Sequence, residues 1–161
     1  MIIKSIETER FQDYKVPAMF LAFPKCTFKC EKECKKRVCQ NSTLAKLPEI
    51  TIATETVIEK YLSNPITKAI ICGGLEPMDS FDDLWTLINK LRNIYHCNDS
   101  VVIYTGYTKQ ECLIMGWLTE LKKFKNIIIK FGRYVPNQQP HYDSVLGVNL
   151  ASDNQYAEVI S

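Results

Sequence analysis

No stretch of this chain stays apolar for anything near the length of a membrane span. The opening residues, Met1 to Arg10, lack the charged-then-apolar pattern of a secretory leader, so a cytoplasmic location is expected. Internal repeats, low-complexity tracts and Gly/Ser linkers are also missing, which leaves one domain over residues 1–161 as the expectation. Charge is nearly balanced: 20 Lys and Arg face 18 Asp and Glu, a net charge of +2. So small an excess gives no bulk-charge reason to bind nucleic acid or a membrane. Histidine is scarce, with His96 and His141 isolated from each other, and no Ser-His-Asp or paired-carboxylate arrangement emerges. Asp82 and Asp83 read as solvated helix positions.

Apolar material is ample. Hydrophobic residues make up 46% of the chain, enough for one sizeable core, and disordered, collagen-like and coiled-coil chains are excluded. Continuous apolar runs, the mark of strands buried on both faces, occur at Pro17 to Phe23, Lys68 to Cys72, Val101 to Thr105 and Asn126 to Phe131. Between them lie helical patterns: Thr54 (as the cap) to Asn64, Asp79 or Ser80 to Tyr95, and Thr108 to Lys122. Gly73-Gly74 is expected to stop the second strand. Val145 to Leu150 suggests a last strand, and a polar tail extends from Ser152. Strands alternating with helices imply βαβ units and a mostly parallel sheet. There are too few strands for eight, so the expected fold is α/β, an incomplete, partial TIM-like barrel with a curled sheet. Functional loops of such sheets lie at the carboxyl ends of the strands. The Pro24 to Pro48 loop, Gly73-Gly74 and Thr105-Gly106 all fall there.

Cysteine is the unusual component. There are 7, and four of them, Cys26, Cys30, Cys34 and Cys39, lie in one lysine-rich loop. In a reducing compartment such a cluster reads as metal or redox chemistry before disulfides. A shared helix face of small core residues is one reading, with little apolar material beside it. Structural zinc is a second, and an iron–sulfur cluster a third. Spacing alone does not separate zinc from iron. Cys72, Cys97 and Cys112 sit in strand or helix contexts and read as core thiols.

Four motifs on successive strand ends carry a resemblance. Cys26 and Cys30 open a C-x3-C pattern behind a strand, and Cys39-Gln40-Asn41 comes after them. Gly73-Gly74-Leu75-Glu76-Pro77 ends the second strand, Tyr104-Thr105-Gly106-Tyr107-Thr108 the third, and Ser152-Asp153-Asn154-Gln155 lies near the end of the chain. In this order they resemble the radical S-adenosylmethionine activating proteins of glycyl radical enzymes, most closely the activators of anaerobic ribonucleotide reductases. The likeness spans nearly the whole chain. The usual C-x3-C-x2-C is departed from here: the second gap is x3 to Cys34 or x8 to Cys39. Cys39 carries a Gln-Asn continuation similar to the one after the third ligand in relatives, so Glu31 to Val38 reads as a loop insertion and Cys34 as a bystander or spare ligand.

The resemblance implies that Cys26, Cys30 and Cys39 bind three irons of a [4Fe–4S] cluster, with S-adenosylmethionine on the fourth. It implies cofactor contacts from Gly73, Gly74, Glu76, Tyr104, Thr105 and Asn154, with Gln155 beside them. The glycines would let the backbone approach the ligand, and Glu76 would accept from the substrate ammonium. No catalytic residue is implied beyond the cluster and cofactor. The implied reaction is reductive cleavage of S-adenosylmethionine to methionine and a 5′-deoxyadenosyl radical, which takes a hydrogen atom from a glycine of the partner enzyme. The implied partners are the catalytic subunit of an anaerobic (class III) ribonucleotide reductase and a flavodoxin- or ferredoxin-type electron donor. The basic stretch Lys29 to Arg37 reads either as a docking aid for the glycyl radical partner or as a solvated loop. The other functions weighed are activation of a different glycyl radical enzyme and a non-catalytic zinc-binding interaction module.

Overall fold

The apolar runs form the parallel centre of a six-stranded sheet. The computed structural model describes residues 1–161, with strands and helices in this order along the chain. First come β1 (Ile2–Ile3), β2 (Ser5–Arg10) and β3 (Ala18–Phe23), then two short helices in the cysteine loop, α1 (Lys29–Cys34) and α2 (Ser42–Ala45). Next are β4 (Ile50–Thr51), α3 (Thr54–Leu62) and β5 (Ala69–Gly74), and a 3-10 turn, Pro77–Ser80, leads into α4 (Phe81–Asn93). β6 (Ser100–Tyr104), α5 (Lys109–Ile114), α6 (Trp117–Leu121) and β7 (Ile127–Phe131) complete the alternation, with β8 (His141–Asp143), β9 (Val148–Leu150) and β10 (Tyr156–Val159) last.

The strand order is β10-β7-β6-β5-β3-β2. The inner strands β3, β5, β6 and β7 run parallel, while β2 and β10 pair antiparallel at the two edges. The sheet is open, since β2 and β10 do not pair with each other. Side chains alternate across it. Met19, Leu21, Ile70, Cys72, Val101, Ile103, Ile127 and Ile129 pack with Val57, Ile58, Leu84, Leu87, Ile88 and Leu91 of α3 and α4. Ala18, Ala69, Ile71, Val102 and Ile128 face the other way, against Tyr14, Leu146 and Leu150. Burial on both sides is why these strands lack polar alternation. Each fully buried aliphatic side chain contributes ~1.5–3 kcal/mol, so truncating Ile103 or Leu87 removes a sizeable part of a marginal total.

Four local expectations are corrected. Pairing continues through the glycines, Ala22 with Gly73 and Phe23 with Gly74, so they belong to β5 rather than ending it. The helix over Thr108 to Lys122 is two helices, broken at Gly116, whose φ of 76° is left-handed. Thr54 is the first residue of α3, with Ala53 in the capping position and no side-chain cap bond. The polar tail contains β10, which pairs with β7 from Tyr156↔Phe131 to Val159↔Ile128. No helix is long and apolar enough to cross a membrane.

Candidate metal and cofactor site

The cysteine loop leaves the carboxyl end of β3 and is fastened to three other parts of the fold. The backbone N–H of Thr27 donates to Asp79 (2.8 Å), and the Tyr107 hydroxyl donates to the other Asp79 oxygen (2.5 Å). This fixes the turn carrying Cys26, whose sulfur accepts from the Phe28 N–H at 3.2 Å. α1 carries Cys30 between two residues in left-handed conformation, Phe28 and Lys35, both with φ 51°. Lys29 of this helix bonds Glu111 (3.2 Å) and lies over the Tyr107 ring at 4.4 Å. Cys39 is held from within the loop, because its N–H donates to Glu31 (3.2 Å). The Asn41 side chain donates to the Gly74 carbonyl at 2.7 Å, tying the stretch after Cys39 to the end of β5.

Glu111 gathers several of these ties. Its carboxylate accepts from the Thr108 N–H in a capping box, from Lys29, and from Arg133 at 2.5 Å. Partial burial opposes its ionisation, but the bonds from Arg133, Thr108 and Lys29 outweigh that and hold its pKa down to about 2. Arg133 also lies 3.3 Å from Glu33 of α1. Thus the helix bearing Cys30 is bound to α5 and to the segment after β7.

These constraints create a cavity of about 360 Å³ at the carboxyl ends of the parallel strands. That volume lies within the range of small-molecule sites, ~300–1,000 Å³. Cys26, Cys30 and Cys39 line it; Cys34 does not. All four thiols are free. No three His, Cys, Asp or Glu side chains are gathered as for a single metal ion. A mononuclear site needs its thiolates around one point, at ~2.3 Å from the metal, whereas a cubane's thiolates each bind a different iron and stand further apart. Three free thiols line this one cavity, a donor set that can supply one thiolate to each of three irons. Burial pushes the Cys26 thiol up to about 12 and raises Cys30 as well, so cluster uptake by the metal-free chain must displace protons.

Gly73, Gly74, Glu76, Tyr104 and Thr105 line the same cavity. Glu76 is 5% exposed and clamps two strand ends. One of its oxygens accepts from the Met78 N–H (3.1 Å) and the Thr105 hydroxyl (2.7 Å); the other accepts from the Gly106 N–H (2.7 Å). Burial nevertheless raises its pKa to about 7 against those three bonds. The Thr105 hydroxyl thereby uses its one proton on Glu76, and it also accepts from the Tyr107 N–H. Tyr104 lies on the wall with its hydroxyl donating to the Asp13 carbonyl at 2.5 Å. Asn154 lies outside the wall, bonded to the Arg133 carbonyl (2.9 Å), whereas its neighbour Gln155 is on it. Cys72 and Cys112 are buried, and Cys97 is half-buried.

Sequence reasoning missed several residues here. Lys130, within the apolar run of β7, is 7% exposed, lines the cavity and donates to the Gly132 carbonyl (2.7 Å). Burial lowers its pKa to about 8, with Glu76 opposing. A lysine inside a buried run is the one local signal that would have found it. Asp79, Glu111 and Arg133 act through contacts distant in sequence and left no such signal.

In a comparison with protein families, a model described as a 4Fe-4S single cluster domain matches residues 18–155. No curated protein and no solved structure matches the chain. The matched span runs from the first residue of β3 to Gln155, and so contains all three cavity thiols and the carboxyl ends of β3, β5, β6 and β7.

Proposed function

The chain belongs to the 4Fe-4S single cluster domain family and is an iron–sulfur protein, and from that premise we propose that it is a radical S-adenosylmethionine enzyme which generates the glycyl radical of an anaerobic ribonucleotide reductase. The observation that carries this reading is the sharing of one cavity by Cys26, Cys30 and Cys39 with the strand-end residues Gly73, Gly74 and Tyr104, while Cys34 stands outside. Three thiolates leave one iron of a four-iron cluster without a protein ligand, and an open position is what chemistry on a bound small molecule requires. When bound, a reduced cluster would supply the single electron needed to cleave the C5′–S bond of S-adenosylmethionine.

The chain's own residues bind and orient. Cys26, Cys30 and Cys39 would hold the cluster from the loop that they share. Gly73 and Gly74 present bare backbone to the ligand, and any side chain at Gly74 would run into Ala22. Glu76 locks the ends of β5 and β6 together and keeps Thr105 and Gly106 in place. Its one singly bonded oxygen remains the site for an ammonium group. Lys130 places a cation in the same wall. Positioning matters because a carbon radical must reach its target hydrogen at near-attack distance, ~3–3.5 Å between reacting atoms. The open sheet, read as part of a TIM-like barrel, leaves room for a macromolecular glycine.

The test is anaerobic incubation of the reconstituted chain with S-adenosylmethionine and reductant. Formation of 5′-deoxyadenosine and methionine in equal amounts is expected, with a glycyl radical signal appearing in the reductase subunit when it is added. A reconstituted cluster that yields neither product would overturn the reading. Products without a radical in the reductase would instead point to a different glycyl radical partner.

A further inference from the structure

The insertion that separates Cys30 from Cys39 carries charge that the fold leaves unpaired. Residues 29–37 contain five cations and two carboxylates, a net charge of +3, which exceeds the +2 of the entire chain. Both carboxylates are engaged: Glu31 accepts from the Cys39 N–H, and Glu33 lies against Arg133. Lys29 is engaged as well, with Glu111. Lys32, Lys35, Lys36 and Arg37 are all exposed and form no ion pair. Together with Phe28 and Glu31 they surround a shallow open concavity on the outside of the loop, and none of the four lines the cysteine cavity.

We propose that this basic concavity is the docking surface for an acidic one-electron donor protein. The inference rests on the proposed function, because only a site that must be reduced repeatedly needs such a partner. Three observations favour a donor over the macromolecular substrate. The cations lie within seven residues of Cys30 and within seven of Cys39, so a protein seated on them is brought close to the cluster loop. Electron transfer falls steeply with distance, and this is the loop that holds the iron. The substrate, by contrast, must reach the cavity wall between Gly73 and Lys130, which the four cations do not line. Unpaired cations also attract rather than lock, since pairing them costs the partner no existing ion pair. Charge complementarity of this kind raises association rates ~10- to 1,000-fold at low salt and leaves the complex free to dissociate.

The experiment is a binding titration of the holoprotein with flavodoxin, a strongly acidic donor, under anaerobic conditions at low and high salt. The variant Lys35→Glu/Lys36→Glu/Arg37→Glu is compared with Lys60→Glu/Lys122→Glu/Lys125→Glu, which makes the same change in net charge at exposed sites in α3 and ahead of β7. Wild type is expected to bind at least ~10-fold more weakly in high salt. The loop variant should lose at least ~10-fold in low salt and most of its salt dependence, and the control should lose little. A Lys35→Gln/Lys36→Gln/Arg37→Gln variant, with neutral side chains of similar length, should fall between. Equal losses in loop and control variants, or salt-independent binding by wild type, would overturn the proposal. So would loss of reductase-subunit binding by the loop variant with flavodoxin binding intact, because the patch would then belong to the substrate. Binding is read without product formation, so a chain that binds flavodoxin as described yet makes no deoxyadenosine fails the functional reading and not the docking surface.

Discussion

Gly74 is the position at which a single methyl group should do most damage. Its φ is 90°, a conformation that costs an L-residue ~1–2 kcal/mol. A Cβ built there would stand 2.7 Å from the Ala22 Cα and 2.9 Å from the Phe23 N, both backbone atoms of the neighbouring parallel strand. Backbone cannot swing aside as a side chain can, so overpacking adds ~1–3 kcal/mol. Together Gly74→Ala should cost ~2–5 kcal/mol, a large share of a total near ~5–15 kcal/mol. The adjacent Gly73→Ala makes an instructive contrast. Its Cβ would meet the Phe20 ring edge at 2.9 Å, and Phe20 is a cavity-wall side chain with room to turn. That variant should cost less than ~1.5 kcal/mol yet drive the Phe20 ring into the cavity. Urea titration of the metal-free chains, followed by the fluorescence of Trp85 and Trp117 and by far-UV circular dichroism, measures both. With a slope near ~2 kcal/mol/M, the Gly74→Ala midpoint should drop by roughly 1–2.5 M. A Gly74→Ala chain within ~0.5 kcal/mol of wild type, or one more stable than Gly73→Ala, would refute the account of the strand end.

Glu76 sets a pH dependence. Its folded pKa is about 7 against an ordinary 4.5, so between those values the folded chain keeps a proton that the unfolded chain has lost. Stability is therefore greatest below the lower value and is lost as pH rises to the upper one, by at most ~1.4 kcal/mol for each pH unit crossed. Urea midpoints of the metal-free chain should fall across this window, and a flat or opposite trend attributable to Glu76 by comparison with Glu76→Ala would contradict it. Asn41→Ala removes the bond to the Gly74 carbonyl, which water can replace, so the fold should lose only ~0.5–1.5 kcal/mol. Cys39 loses its tie to β5 in that variant, and iron should escape to a chelator ~5-fold faster, whereas unchanged release would mean that Asn41 does not position the ligand.

The inner strands were legible because burial on both faces writes itself as continuous apolar sequence, as in Ala69 to Cys72 and Val101 to Ile103. The edge strands were not. β2, Ser-Ile-Glu-Thr-Glu-Arg, has no buried residue, and β10 reads as polar tail because only Ala157 of it is buried. The break at Gly116 was visible as a glycine in a helical pattern, but Trp117, Leu118 and Leu121 carry the apolar spacing on past it. At the site, short motifs placed Cys26, Cys30, Cys39, Gly73, Gly74 and Tyr104, because their spacing is local to loops at strand ends. The ties that hold the thiols in place, Asp79 to Thr27 and Glu111 to Lys29, join residues 52 and 82 positions apart and carry no local signature. Only the fold brings them together, and the fold leaves Cys34 off the cavity wall that the other three line.

The most direct test of the central claim is the iron and acid-labile sulfide content of anaerobically reconstituted wild type, Cys39→Ala and Cys34→Ala. About four irons and four sulfides per chain are expected for wild type and for Cys34→Ala, with both lost together in Cys39→Ala. Loss in Cys34→Ala with retention in Cys39→Ala would contradict it, and so would stoichiometric zinc without sulfide in the wild-type chain.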